Sequence, residues 1–162
     1  MSVVIGEGAR PGLLGWCVAE HGRYYALEWG FGTVFEAKVA TEMAAFLMRA
    51  DAPGCHVWWA EDAEGFVGTV TIDSGDKDDG RSHLRWFITS ERVRGQGLGN
   101  RLIEAALTAA RSDGASGVYL NTFAGLDAAR RLYEKHGFNL VAEHSDVTWG
   151  TEVLEQRFEV TF

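Results

Sequence analysis

A change of pattern near His83 limits the folds open to this chain more than any other feature. Before it, two β-rich runs, His56 to Ala60 and Phe66 to Ile72, are joined by the short polar stretch Glu61-Asp62-Ala63-Glu64-Gly65 and predict a hairpin. After it, strand and helix alternate: a strand over 83–89, a helix from Gly97 to Ser112, a strand over 117–123 and a helix from Leu126 to His136 that Gly137 stops. Ahead of the hairpin, Leu13, Leu14, Cys17, Tyr24 and Leu27 recur at helical spacing after Pro11, with Gly22 as a break, so one interrupted helix or two short ones are expected. Phe35, Val39, Met43 and Leu47 then mark an amphipathic helix that ends before Pro53-Gly54. The stretch Asp73 to Arg81 (DSGDKDDGR) reads as a polar, acidic loop. Two strands close the chain, Phe138 to His144 and Val153 to Phe162, the second with Leu154, Phe158, Val160 and Phe162 on one face and Glu155, Arg157 and Glu159 on the other. Together these runs predict an α+β domain on a mixed sheet. The 162 residues, 46% of them hydrophobic, suit a single domain over 1–162.

The segment Glu91-Arg92-Val93-Arg94-Gly95-Gln96-Gly97-Leu98-Gly99-Asn100 lies between an expected strand and an expected helix. Glycines there let successive backbone N–H groups face one anion, and the helix N-terminus behind them carries partial positive charge. A diphosphate suits such a turn, and Arg92, Arg94 and Arg101 make its surroundings basic. An ordinary tight strand-to-helix turn accounts for the glycines equally well. No Gly-x-x-x-x-Gly-Lys-Ser/Thr occurs, and Gly-x-Gly-x-x-Gly fails at Asn100 counted from Gly95 and at Leu102 counted from Gly97, which removes the P-loop and Rossmann readings.

Composition sets further bounds. Lys and Arg number 15 against 23 Asp and Glu, a net charge of −8 that repels nucleic acid and anionic membrane and favours a cationic partner, although an acidic surface is also an ordinary route to solubility. The start MSVVIGEGARPG has no basic n-region and apolar core, and no run reaches the length of a membrane span, so a cytoplasmic protein is expected. Cys17 and Cys55 form no CxxC and are expected as free buried thiols; the five histidines show no ligand spacing, so no metal is expected. Trp58 and Trp59 must point to opposite sides of their strand, and of the six tryptophans Trp29 and Trp149 are the candidates for a pocket wall.

Arg94-Gly95-Gln96-Gly97-Leu98-Gly99 fits the pattern Arg/Gln-x-x-Gly-x-Gly/Ala and resembles the acetyl-CoA pyrophosphate loop of the GNAT superfamily of N-acetyltransferases. Leu132-Tyr133-Glu134-Lys135-His136-Gly137-Phe138 resembles the LYEKxGF motif of that family, at the expected distance downstream. The element order is also the family's, so the resemblance covers essentially the whole chain. Gly15-Trp16-Cys17-Val18 with His21-Gly22, Tyr25 with Glu28-Trp29-Gly30, Phe35-Glu36-Ala37 and the ending from Thr148 to Phe162 are similar to one branch, the acetyltransferase half of MarR-acetyltransferase fusions. The winged-helix half has no counterpart here, and no DNA-binding role is carried over.

The resemblance implies a GNAT acyltransferase fold: a mixed, mostly antiparallel sheet of about six or seven strands flanked by helices, with a V-shaped splay between two central parallel strands. It implies direct acetyl transfer from acetyl-CoA to an amine in a ternary complex, with a non-catalytic acyl-CoA binding or sensing domain as the alternative. Phe87, Ile88 and Thr89 would meet the pantetheine, with a backbone N–H near Ile88 at the thioester carbonyl, and Arg94, Gly95, Gln96, Gly97, Leu98, Gly99 and Asn100 would meet the diphosphate. Tyr133 would contact the cofactor and act as general acid, although a core aromatic one helical turn from Ala129 is its plain reading. Many family members carry an Asn seven residues before that tyrosine; Leu126 stands here, with Asn121 and Thr122 as substitutes. For the general base, Glu28, His83, Glu91 and His21 all remain open, Glu28 leading because its aromatic segment resembles the acceptor side of the fusion branch. A homodimer through the final strand is also considered, since an unpaired sheet edge invites pairing.

Overall fold

The computed structural model describes residues 2–162. Its elements are β1 (Val4–Glu7), α1 (Leu13–Trp29), α2 (Thr33–Leu47), β2 (His56–Asp62), β3 (Gly65–Asp78), β4 (Arg81–Thr89), a 3-10 turn (Glu91–Val93), α3 (Leu98–Ser112), β5 (Gly117–Phe123), α4 (Asp127–Lys135), β6 (Asn139–Asp146) and β7 (Val153–Thr161). All seven strands join one sheet in the order β1-β2-β3-β4-β5-β7-β6, antiparallel except for the central parallel pair β4 and β5. The helices cover both faces. On one, Leu98, Leu102, Ile103, Ala106 and Ala110 of α3 and Tyr133 of α4 bury against Val70, Leu84, Val118, Leu120 and Phe158. On the other, Leu13 and Cys17 of α1 and Phe35, Val39, Met43 and Phe46 of α2 bury against Val57, Trp86, Phe123 and Val153. Alternation along each strand divides its side chains between the two cores, and Trp58 and Trp59 duly separate, one into each.

The structure departs from the sequence reading at several points. Gly22 does not break α1, which is continuous from Leu13 to Trp29; a Cβ there would come within 3.2 Å of the Glu36 carboxyl carbon, so this glycine lets α1 and α2 approach closely. Asp73 to Arg81 is a hairpin tip rather than a loop, with β3 running to Asp78 and turning at Asp79-Gly80. Its acids are engaged internally: Asp73 with Arg49 (2.6 Å), Asp76 with His83 (2.8 Å), Asp78 with Arg157 (2.6 Å) and Asp79 with Arg81 (3.1 Å). β1 was not expected at all. Leu154 is 41% exposed and does not share the burial of Phe158. β7 lies between β5 and β6, so the final strand has no free edge for a second subunit; the outer strands are β1 and β6.

Candidate active site

The site begins where the sheet comes apart. β4 and β5 pair only at Arg81 with Gly117, Ser82 with Val118 and His83 with Tyr119. Beyond His83 the two strands diverge, while β5 keeps its full antiparallel register with β7 from Gly117 to Phe123. A β-bulge helps turn β4 away. The β3–β4 register shifts between Thr69 and Thr71, and within that shift Trp86 adopts φ 48°, a left-handed conformation that costs a non-glycine residue about 1–3 kcal/mol. Burial against Phe46 (5.5 Å) and the Arg85 guanidinium over its ring (4.3 Å) hold it there. The expected splay is therefore present, and the β4 edge over Phe87, Ile88 and Thr89 faces a gap instead of a strand.

The glycine-rich turn closes the end of that gap. Gly95 (φ 78°) and Gly97 (φ 77°) are left-handed, and a Cβ on either would meet nothing within 4 Å, so open space lies over the backbone here. The Gln96 amide donates back to the Val93 carbonyl, and the Arg101 amide starts the α3 ladder on the Gly97 carbonyl. Among the described residues, the amides of Gly95, Gly97, Leu98, Gly99 and Asn100 find no acceptor, and α3 has no side-chain cap. The side chains around this row have other tasks. Leu98 is buried in the core, and Asn100 accepts at 3.0 Å from His136 Nε2, tying α3 to the end of α4. Gly99 is glycine for packing: its Cβ would come within 3.1 Å of Leu132 and 3.3 Å of Phe87. Arg92 is bound to Asp62 and to the Gly65 and Phe66 carbonyls; Arg94, exposed, lies 3.5 Å from Glu91, and Arg101 is exposed at the head of α3.

Two cavities open on the gap. The larger, about 540 Å³, is lined by Ile88, Thr89, Glu91, Arg94, Gly99 and Leu126 among others; the smaller, about 150 Å³, lies toward α1 and α2. Tyr25, Phe87, Thr122 and Tyr133 line both and form the wall between them. Tyr133 combines its two expected readings. Its ring packs in the core near Phe138 (5.9 Å), Phe87 (6.1 Å) and Phe158 (6.2 Å), and among the described residues no hydrogen bond engages its hydroxyl. Burial holds that phenol above its usual pKa, so it keeps its proton at neutral pH.

Side chains from six elements build the smaller cavity. His21 Nδ1 lies 2.8 Å from the Cys17 carbonyl, which can only accept, so Nδ1 carries the proton and Nε2 the lone pair. His83 Nδ1 is held likewise by the Asp76 carboxylate, and its ring stacks on Tyr119 at 4.3 Å. Burial pushes both imidazoles down to about 4. Glu42 is paired with Arg85 and Lys38, and Glu155 accepts from Trp149 Nε1 at 3.3 Å. Burial, with Asp146 nearby, raises the Glu155 carboxyl. His144, Asp146 and Glu155 bring potential ligand atoms within 4.8 Å of one another at the β6–β7 hairpin. Asn121 lines the smaller cavity, as does Trp149. Glu28 is exposed near the end of α1 and lines neither cavity; Trp29 also stays out of both, packing over Gly125. Glu91 borders the larger cavity. Glu42, Arg85 and Glu155 escaped the sequence reading, since nothing local to α2, β4 or β7 marks them.

The family model for the acetyltransferase (GNAT) family matches residues 18–138. N-acetylaspartate synthetase of Danio rerio is 30% identical over 130 residues, covering 78% of this chain and 45% of that protein. An uncharacterized N-acetyltransferase of Escherichia coli, YjgM, is 33% identical over 102 residues, covering 60% of this chain and 57% of its own length. The chain spans about half the length of the relatives it matches. Among solved structures, ribosomal-protein-alanine N-acetyltransferase from Brucella melitensis superposes with a TM-score of 0.76 at 17% identity, covering 98% of this chain and 99% of that one. The acetyltransferase yncA from Salmonella typhimurium, solved with its cofactor acetyl-CoA, superposes at 0.74 with 16% identity over 99% of this chain and 94% of its own. At these identities the likeness is one of fold.

Proposed function

Because the chain belongs to the GNAT acetyltransferase family, we propose that it is an acetyl-CoA-dependent N-acetyltransferase, moving an acetyl group to an amine while both substrates are bound. The observation that carries this reading is a convergence: the unpaired β4 edge, the head of α3 at Gly99, where a row of amides lacks partners, and Tyr133 border one gap. The amides of Gly95 and of Gly97 to Asn100 would receive the diphosphate, with Gly95 and Gly97 leaving the approach clear and Arg94 at the rim. Phe87, Ile88 and Thr89 would offer backbone groups to the pantetheine, with Asn121 and Thr122 across the gap. Acetyl-CoA, when bound, supplies an acetyl group already activated as a thioester. His21 and His83 present Nε2 lone pairs to take the proton that an ammonium must shed. As the N–C bond forms and the C–S bond breaks, Tyr133 gives its proton to the departing sulfur and regains one from the nitrogen. The amine thus loses two protons, of which one ends on the thiol and one leaves to water.

Direct transfer is supported by the thiols. Cys17 and Cys55 are free and buried, neither lines a cavity, and burial raises the Cys17 pKa well above its ordinary range. The non-catalytic alternative rests on Leu126, yet that side chain sits at the α4 N-cap and its exchange for Asn would alter neither Tyr133 nor the amide row. We further infer a single catalytic domain over 1–162 in the cytoplasm. Kinship with the MarR-fusion branch is supported by where its similar segments fall: on α1, on α2 and at Trp149, around the smaller cavity. Among the described residues, no helix is long and apolar enough to cross a membrane. The test is release of free CoA thiol from acetyl-CoA over a broad amine panel. Amine-dependent release supports the reading; stabilisation by acetyl-CoA with no turnover on any amine overturns it in favour of a binding domain.

A further inference from the structure

Resting on that reading, we propose that the acceptor is a small primary monoamine with an apolar body about as wide as one aromatic ring, its ammonium directed at Glu155. Size gives the first argument. The smaller cavity holds about 150 Å³, and an engineered apolar cavity of about that volume accommodates benzene. An aminoglycoside or a folded peptide loop would have to leave most of its bulk outside a space of that order.

The walls give the second. Tyr25, Phe35, Phe123 and Trp149 form a continuous aromatic surface, with Tyr25 to Phe35 at 4.7 Å and both Phe35 and Phe123 at 5.5 Å from Trp149. Such walls reward a body with breadth, whereas the thin stem of a lysine leaves contacts unmade. Charge gives the third. Arg85 and Glu42 neutralise each other, with Lys38 also on Glu42, so Arg85 is committed before any carboxylate arrives. Both imidazoles are neutral near pH 7 and expose acceptors, because their Nδ1 protons are already used by Cys17 and Asp76. Glu155 has one oxygen taken by Trp149, and among the described residues no Lys or Arg pairs with it. One negative charge, neutral acceptors and aromatic walls match one cation on an apolar body. A polyamine's second ammonium would find Glu42 already held by two cations, and an α-amino acid would turn its carboxylate toward Glu155.

The test separates acceptor class from activity by measuring binding as well as turnover. Phenethylamine, benzylamine and isopentylamine are titrated into the CoA complex by calorimetry and Trp fluorescence, beside spermidine, phenylalanine and an N-terminally blocked lysine peptide; each is then assayed with acetyl-CoA. The monoamines are expected to exceed the other three by about tenfold or more in kcat/KM. Glu155→Gln and Trp149→Ala should each weaken monoamine binding about tenfold with acetyl-CoA affinity unchanged, the conservative Glu155→Gln answering if Trp149→Ala folds poorly. Preference for spermidine, phenylalanine or the peptide overturns the acceptor class and leaves the acetyltransferase reading standing. Monoamine binding that both variants leave intact overturns it too. Variant-sensitive monoamine binding without transfer to any amine supports the acceptor class and removes the proposed activity.

Discussion

The two cavities that meet at Tyr133 are built in opposite ways. The larger has main chain along one side, an unpaired strand edge that leads through Gly99 to the bare amides at the head of α3, supplied by the continuous stretch from Phe87 to Asn100, while side chains of α1 and α4 complete it. The smaller is made of side chains, drawn from α1, α2, β4, β5, α4, β7 and the loop before β7. A backbone surface tolerates most side chains but demands glycine and a set spacing, so it leaves a local mark in sequence. A side-chain surface demands particular residues at positions that only the folded sheet brings together. The difference teaches where a substitution should be felt: donor affinity should depend on a few backbone positions, and acceptor chemistry on dispersed side chains.

The sharpest way to break this division is at the wall itself. Tyr133→Phe keeps the ring in the core and removes only the proton, so kcat should fall about 10²-fold or more with acetyl-CoA affinity little changed. Wild-type turnover, with chemistry shown to limit the rate, would make Tyr133 a core residue and nothing more. Next in size is a pair within the glycine turn. Gly97→Val strains a φ of 77° and places a branched side chain over the amides, which should raise the acetyl-CoA Kd about tenfold or more in a protein that still folds. Gly99→Val should instead press on Leu132 and Phe87 and lower Tm, as overpacking costs about 1–3 kcal/mol. Equal loss of affinity in both, without loss of stability, would deny that the two glycines do different work.

The third prediction concerns pH. His21 and His83 sit at about 4 in the folded state against an ordinary 6.5, so between those values the unfolded chain binds more protons. Their contribution to stability is whole above pH 6.5 and is lost as pH falls toward 4, on the order of 1 kcal/mol for each histidine between pH 7 and 5.5. His56 opposes them: burial pushes it down, but Glu7 and Asp113 push it up further, and it ends raised. Denaturant melts at pH 7 and 5.5 should show the loss, and His21→Gln should halve it; a slope unchanged by that variant would show that His21 does not resist protonation. The smallest effect is expected at the thiols. Cys17→Ala and Cys55→Ala should leave turnover nearly intact, and an acetyl-cysteine trapped by mass spectrometry and competent for transfer would overturn direct attack.

Legibility followed the same division. The strand Gly117–Phe123 and the helix through Ser112 stand where the hydrophobic period puts them, and the turn's glycines revealed the amide row. Gly22 misled because a helix glycine can serve a neighbour's approach as well as a break, and only the packed Glu36 tells which. The run of aspartates misled because acid density resembles a solvated loop until Arg49, His83, Arg157 and Arg81 are seen to answer each member. β1 escaped because four residues carry no period, and Gly6 gains its meaning only from the Trp59 ring that lies over it. Glu28 drew attention by keeping company with aromatics in sequence, whereas Glu155 keeps company with them in space.

The three residue pairs that join β4 to β5 divide the sheet mechanically into two plates, β1 to β4 and β5 to β6, with the seam fastened at one end only. Widening the wedge beyond His83 stretches no hydrogen bond between the plates and is resisted by side-chain packing alone, such as that of α3 on β3, β4 and β5. Each plate can be stiff on its own account while the angle between them stays compliant, and a molecule that bridges the seam acts as a brace.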